Sequence, residues 1–404
     1  MPSAEAISLY PPAIPQAAAP RLTVTCAKTI EEVDRRTWDA LVPRDAPHLR
    51  YGFLRAVERS AFGRNPHYLG VHRGRRLLGV AVAYVMPVDL LTLAPPKYAR
   101  RMNALRNAVA PRLLFLQTLS CGPMITNCNH GFCLADSLTE GEQQEVISEL
   151  LQAMEATGIG SVLCGFEFTE EEAARFGPQM EACGWLQAPS LPGTRMAVTW
   201  RSLDEYVANM RKAFRRAVRK DLRAAESLQF DVIDDFSSIA DEAWQLYNNV
   251  LAKADHVFEK LTPEFLRELG KFDQARLMTA RERSTGRLVG IELLLQGDTV
   301  LQDLYTGVDY SLNGEKHLYF NLLYPVIAYA AEQRMRTLSL GQTSYTFKAR
   351  LGARPYKLFL FIKHRNRLIH RLLVACKSVL FPETATTTYR VFREPGADSE
   401  AAGA

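Results

Sequence analysis

Twice along this chain the residue pattern runs through the same order of elements: strand, two helices, hairpin, helix, strand. In the first pass, 22–29 reads as a strand, 30–41 and 49–61 as helices, 67–73 and 77–85 as a hairpin, and 113–119 as a further strand. Helix 140–156 keeps Leu150, Leu151 and Met154 on its apolar side, and strand 161–168, helix 170–183 and strand 195–200 follow. In the second pass 228–233 is a strand, 239–252 and 263–269 are helices, and 276–282, 288–296 and 300–308 are three antiparallel strands. A helix is expected over 315–332, where Leu318, Leu322, Val326 and Tyr329 make one apolar face; strand 337–340, a short helix 344–351 and strand 357–363 close the unit. The hairpins echo each other: Gly74, Arg75 and Arg76 precede Leu77, and Gly286 and Arg287 precede Leu288. The order is that of an α+β protein with mixed, mostly antiparallel sheets flanked by helices, arranged as a duplicated unit.

The 404 residues suffice for two or three cores. The expected division is an Ala/Pro-rich disordered tail over 1–20, one unit over 21–200, a second over 201–382, and a disordered tail over 383–404. With 47% apolar and 23% charged residues, wholesale disorder is excluded. The net charge of +5 conceals an asymmetry. Residues 201–223 hold eight Lys/Arg against three carboxylates, 333–382 hold eleven and no carboxylate, and 90–135 hold five and none. These windows together carry +21, which leaves −16 on the other 285 residues. Basicity this local marks a surface that meets something anionic.

The longest apolar run, 77–88, has 12 residues, short of the roughly 18–20 that a spanning helix needs. The N-terminus lacks the basic and apolar regions of a signal peptide. Seven thinly spread cysteines favour reduced thiols, so the expected location is the cytoplasm. Cys121, Cys128, Cys133 and His130 crowd together without CxxC or HxxxH spacing, which points to buried thiols and no metal site.

Ser202 can cap a helix whose apolar positions are Val207, Met210, Phe214, Val218 and Leu222. Its other faces carry Arg211, Lys212, Arg215, Arg216, Arg219, Lys220 and Arg223, opposed only by Asp221. A solvated face normally mixes signs, so an anionic counterpart is expected: cofactor phosphate, a tRNA backbone or anionic lipid. Further on, Asn313, Gly314, Lys316 and His317 lie between a strand and a helix. A glycine there lets backbone N–H groups point at a phosphate, and cations in a first helical turn are unfavourable unless they meet an anion. A plain turn is the competing explanation.

Three features in this order resemble the GNAT-fold acyltransferases of the FemAB and BioF2-like branch, linked to peptidoglycan biosynthesis. They are the basic helix 211–223, the helix opening at Gly314, Glu315, Lys316, His317 and Leu318, and Leu340, Gly341 and Gln342 followed by Tyr345 and Lys348. The resemblance covers about 205–365. It implies tandem GNAT-like units, with acyl transfer to an amine by direct attack and no covalent enzyme intermediate. It also implies acyl-CoA or another acyl thioester as co-substrate with no permanent cofactor. The branch often has Asp before the glycine that is Gly341 here, where this chain has Ser339 and Leu340, and the acetyl-CoA signature is absent.

Such chemistry needs a base for an amine of pKa about 10, N–H donors for the oxyanion and an acid for the leaving group. Glu292 and Asp303 fall inside otherwise apolar strands, where a carboxylate must face a polar pocket or a partner. Strand alternation leaves open that one of them meets solvent. Tyr305 and Tyr345 are the acids to consider. Asn313, Gly314, Lys316, His317, Gln342, Lys348, Arg215 and Arg219 are the residues expected to hold the donor, and the resemblance favours Lys348 over Arg350.

Two segments have basic, acid-free amphipathic patterns suited to an anionic leaflet: 364–380, with Leu368, Leu372, Leu373, Cys376 and Leu380, and 97–112, with Tyr98, Met102, Leu105 and Val109. The favoured expectation is an acyl-thioester-dependent N-acyltransferase acting on a hydrophobic, sphingoid-type amine at the inner face of the cytoplasmic membrane. The alternatives are a FemAB-like aminoacyl-tRNA-dependent transferase and a non-catalytic lipid-binding relic.

Overall fold

The structure is a computed structural model that describes residues 21–60, 64–89, 115–122, 125, 128–253 and 260–393. The segment 97–112 and the tails 1–20 and 394–404 lie outside the described residues. Strands β1 (Leu22–Ala27), β2 (Arg64–Arg73), β3 (Arg76–Asp89), β4 (Phe115–Cys121), β5 (Phe132–Leu134), β6 (Val162–Thr169) and β7 (Leu186–Pro189) belong to a first sheet. Strands β8 (Gly193–Ala197), β9 (Leu228–Ile233), β10 (Ala275–Glu282), β11 (Leu288–Gln296), β12 (Val300–Val308), β13 (Thr337–Gly341) and β14 (Arg354–Tyr356) form a second. The last strand, β15 (Leu358–His364), goes back to the first.

The strand orders reveal the duplication. The first sheet runs β1-β2-β3-β4-β6-β15-β7 and the second β14-β8-β13-β12-β11-β10-β9. Each has an antiparallel run of four, then one parallel pair: β4 with β6, and β12 with β13. Beyond that pair the halves trade strands. β8, from the first half, sits between β13 and β14, while β15, from the second, sits between β6 and β7. A cut between 200 and 201 therefore does not separate the two sheets.

The halves also share one core. Phe53 meets Phe265 edge-on at 6.2 Å, and one apolar cluster joins Trp38, Tyr68 and Tyr84 to Leu277, Ile291 and Leu295. Asp45 accepts from Thr299 N at 2.8 Å, Thr299 Oγ1 at 2.7 Å and Val300 N at 3.1 Å, so a first-half carboxylate anchors the start of β12.

Several elements differ from the sequence pattern. The basic segment forms two helices, Leu203–Ala208, capped by Ser202, and Lys212–Ala224. They break at Arg211, whose N–H donates to Val391 O at 2.8 Å. Residues 383–393 are thus no free tail. Val391 is buried, and the Phe392 ring lies against Trp200 and Tyr206. Gly352 makes room for it, since a Cβ there would come within 2.3 Å of that ring. The expected helix over 315–332 is also two, Tyr310–Lys316 and Leu318–Glu332, divided by His317 in a left-handed conformation (φ 48°).

Candidate active site

One extra residue in β12 decides where the carboxylates point. Glu292 pairs with Thr306 and Leu293 with Tyr305, but Leu294 pairs with Asp303, which leaves Leu304 over as a β-bulge. In a regular strand Asp303 and Thr306 would point to opposite faces; across the bulge they share one. Glu292, Asp303 and Thr306 therefore all face the side of the sheet that helix Leu318–Glu332 covers, beside Met278 and Leu294.

Glu292 and Asp303 are both buried. Thr306 Oγ1 donates to Glu292 Oε2 at 2.7 Å. The two carboxyls hydrogen-bond each other, which requires that one of them carry a proton. Burial, then the charge of Asp303, holds Glu292 well above the ordinary carboxylate range. Burial pushes Asp303 up to about 6. Such a pair titrates as a unit and carries one proton and one negative charge near neutrality.

Helix Tyr345–Arg350 brings the balancing cation. Lys348 is buried, its Nζ donates to Gln342 O at 2.6 Å, and burial lowers its pKa to about 8 against the opposing pull of Asp303. The turn that sets this helix is strained: Gly341, Thr343 and Ser344 have φ of 68°, 63° and 49°. Left-handed non-glycine residues cost about 1–3 kcal/mol each and persist where the surroundings over-determine them. Tyr319, in the first turn of helix Leu318–Glu332, hydrogen-bonds with Ser344. Burial and the nearby charge of Glu292 push its hydroxyl up to about 12.

A second buried carboxylate reaches this group from the first half. Gln342 Nε2 donates to Glu167 Oε1 and to Leu191 O, and Ser190 Oγ donates to the same Glu167 oxygen at 3.0 Å. Burial raises Glu167 to about 7 despite those two donors. Cys128, hydrogen-bonded with Tyr356, is close to this carboxylate, and burial pushes its thiol up. A continuous polar path thus runs from Glu167 on β6 through Gln342 to Lys348 and the carboxylate pair.

Of the residues singled out in the sequence, Glu292, Asp303, Lys348 and Gln342 come together. Tyr345 lies beside Glu167 and Cys128, with its hydroxyl donating to Pro192 O at 2.9 Å. Tyr305 is on the wrong face: it pairs with Leu293 and meets Tyr247 edge-on at 5.5 Å across the shared core. Tyr319 stands where Tyr305 was expected. The expected phosphate cradle does not form either. The helix after β12 begins at Tyr310 under the side chain of Asp309, which accepts from Ser311 N at 2.9 Å and pairs with Arg287 at 2.6 Å. A carboxylate cap takes one of the N–H groups that an anion would use and sets its own negative charge there. Gly314 lies inside that short helix, and Lys316 in its last turn pairs with Glu315 at 2.6 Å, where a cation suits the helix dipole. Asn313 Oδ1 accepts from Tyr319 N at 3.0 Å, and His317 Nδ1 meets Asp221 Oδ1 at 2.6 Å.

Asp221 also accepts from Tyr324 OH at 2.9 Å and is buried, so it turns away from the cations of its helix. Arg215 is half-buried and donates to Ala208 O at 3.3 Å, closing the preceding helix. Arg211, Lys212, Arg216, Arg219, Lys220 and Arg223 are exposed and make no ion pair among the described residues. Among those residues no group of three or more His, Cys, Asp or Glu is gathered to hold a metal ion, and the His130 ring stacks on Phe168 at 5.1 Å.

The FemAB-like family, described as peptidoglycan biosynthesis and recognition, matches residues 29–359. FemX is similar in structure with a TM-score of 0.58 at 10% identity, over 84% of this chain and 98% of its own. The C-terminal domain of a protein assigned as a lysylphosphatidylglycerol synthetase from Agrobacterium fabrum gives 0.52 at 10% identity, over 89% and 100%. A tandem GNAT protein of the clavulanic acid biosynthesis pathway gives 0.45 at 11% identity, over 85% and 98%. No curated protein sequence matches. With a family match over residues 29–359, the chain belongs to the FemAB-like family and shares the fold of FemX.

Proposed function

We propose that this protein transfers an acyl group from an activated ester or thioester to an amine, with the Glu292–Asp303 pair as the base. The observation that carries the reading is the pair itself: two buried carboxyls brought to one face of the sheet by the bulge, with the charge of Lys348 beside them. The amine nitrogen attacks the acyl carbon, a C–N bond forms, and the C–S bond of a thioester or C–O bond of an ester breaks. The proton leaving nitrogen goes to the mono-anionic pair, whose raised affinity places it near the working pH. Tyr319 and Lys348 are the nearby donors for the departing thiolate or alkoxide.

The first reading of the donor is an acyl thioester, with a hydrophobic amine as acceptor. One observation favours an aminoacyl-tRNA instead: the six exposed cations from Arg211 to Arg223, which make no ion pair among the described residues, suit a polyanion, while Asp309 caps the helix start after β12 with a carboxylate. Pure protein given an amine panel with either acyl-CoA or charged tRNA separates them. Transfer from only one donor identifies it. Glu292→Gln and Asp303→Asn should each lower kcat/KM by about 10²–10⁴-fold. Full activity in both would remove the pair as base, and transfer from neither donor would leave the non-catalytic reading.

A further inference from the structure

We infer that helices Arg367–Ala375 and Lys377–Leu380 form a docking face for an anionic lipid bilayer. After β15 the chain forms these two short helices, neither of which has a buried residue. Their apolar side chains stand in solvent: Leu368 is 73% exposed, Leu372 62% and Val379 80%, with Ile369 and Val374 about half exposed. Among the described residues the other large apolar side chain this exposed is Tyr389, and a contiguous patch of this kind marks an interaction surface.

Charge and shape select the partner. Arg367 and Arg371 stand one position before Leu368 and Leu372, so cations flank the apolar stripe along its length, and Lys377 continues the flank. No carboxylate occurs from 333 to 382. Of the nearby cations, Lys363 is taken by Glu155 and Arg365 by the carbonyls of Glu155, Ile159 and Gly160, whereas Arg367, Arg371 and Lys377 make no ion pair among the described residues. His370 accepts from His364 N at 3.3 Å and brings no negative charge to this face. A second copy seated on this face would set like charges against each other with nothing to neutralise them. A peptide helix needs a groove with walls, and this surface is the bare convex side of a helix. A leaflet of anionic headgroups over acyl chains satisfies both the stripe and its flanks.

The inference is independent of the acyl donor. It is tested on the full chain by sedimentation with vesicles of phosphatidylcholine alone or mixed equally with phosphatidylglycerol, together with sedimentation velocity without lipid. The expected result is binding to the mixed vesicles only, released by salt. It should be weakened at least about tenfold in Leu368→Glu/Leu372→Glu and in Arg367→Gln/Arg371→Gln/Lys377→Gln. Both variants should keep the wild-type melting temperature, because no altered side chain is buried, and should keep transfer to water-soluble amines. A wild type that ignores both vesicle types overturns the inference. So does a concentration-dependent dimer dissolved by Leu368→Glu/Leu372→Glu, or capture by an acidic peptide helix without lipid binding.

Discussion

The raised proton affinity of the Glu292–Asp303 pair can be tested without any substrate. Both carboxyls keep a proton to higher pH in the folded chain than in the unfolded one, so the native state binds more protons there. Stability from this pair is therefore greatest at acid pH and falls as pH rises from about 4, the unfolded value, through about 6. Glu292→Gln keeps a donor for Asp303 and removes one ionisable group. Its melting temperature should vary less with pH and exceed that of the wild type at alkaline pH by roughly 2–4 °C. An unchanged pH slope in calorimetry would mean the pair holds no shared proton. Glu292 and Asp303 are legible in the sequence because a carboxylate in an apolar strand has few places to go. The same rule applied to the apolar strand Val162–Thr169 picks out Glu167, which a search confined to the second half does not reach. The tyrosines are not legible. Tyr305 and Tyr319 are distinguished by which side of the sheet they occupy, and one bulge residue sets that side for everything before it in β12.

Among elements, the breaks escaped the periodic pattern while the runs did not. β9, β11, β12 and the helices Glu140–Ala156 and Pro263–Leu269 follow their hydrophobic spacing to the residue. The break at His317 depends on a partner 96 positions away, Asp221, and that at Arg211 on Val391; neither is a local signal. The basic helix Lys212–Ala224 shows how contacts sort residues that look alike in sequence. Arg216, Arg219 and Lys220 make no ion pair among the described residues, whereas Arg215 closes the helix before it. Arg216→Gln/Arg219→Gln/Lys220→Gln should leave thermal stability unchanged and weaken donor binding, with the deficit shrinking as salt rises. Arg215→Gln should instead lower stability by about 0.5–1.5 kcal/mol with little dependence on salt. A salt-independent loss in the triple variant would assign those cations to folding rather than to a ligand.

At the scale of the whole molecule, the duplication was legible in the order of elements and the exchange between its copies was not. Strands β7 and β8 follow each other closely in sequence, as do β14 and β15, and nothing local says that each second strand goes into the other sheet. The exchange makes the two units one folding problem. Without β15 the first sheet has a gap between β6 and β7, and without β8 the second has one between β13 and β14. Each gap would expose unpaired backbone groups along two strand edges, and the core that joins Phe53 to Phe265 would be opened as well. Fragments 21–200 and 201–393 made separately should therefore aggregate or remain unfolded. Co-expressed, they should assemble into a complex with the circular dichroism of the intact chain. The intact chain should melt in one calorimetric transition, because the buried polar group of the candidate site spans the exchange: Gln342 hangs between Glu167 of β6 and Lys348 beside Asp303. Two separable transitions, or a monomeric and well-folded 201–393 fragment, would show that the strand exchange is dispensable and that Glu167 is a neighbour of the site rather than part of its frame.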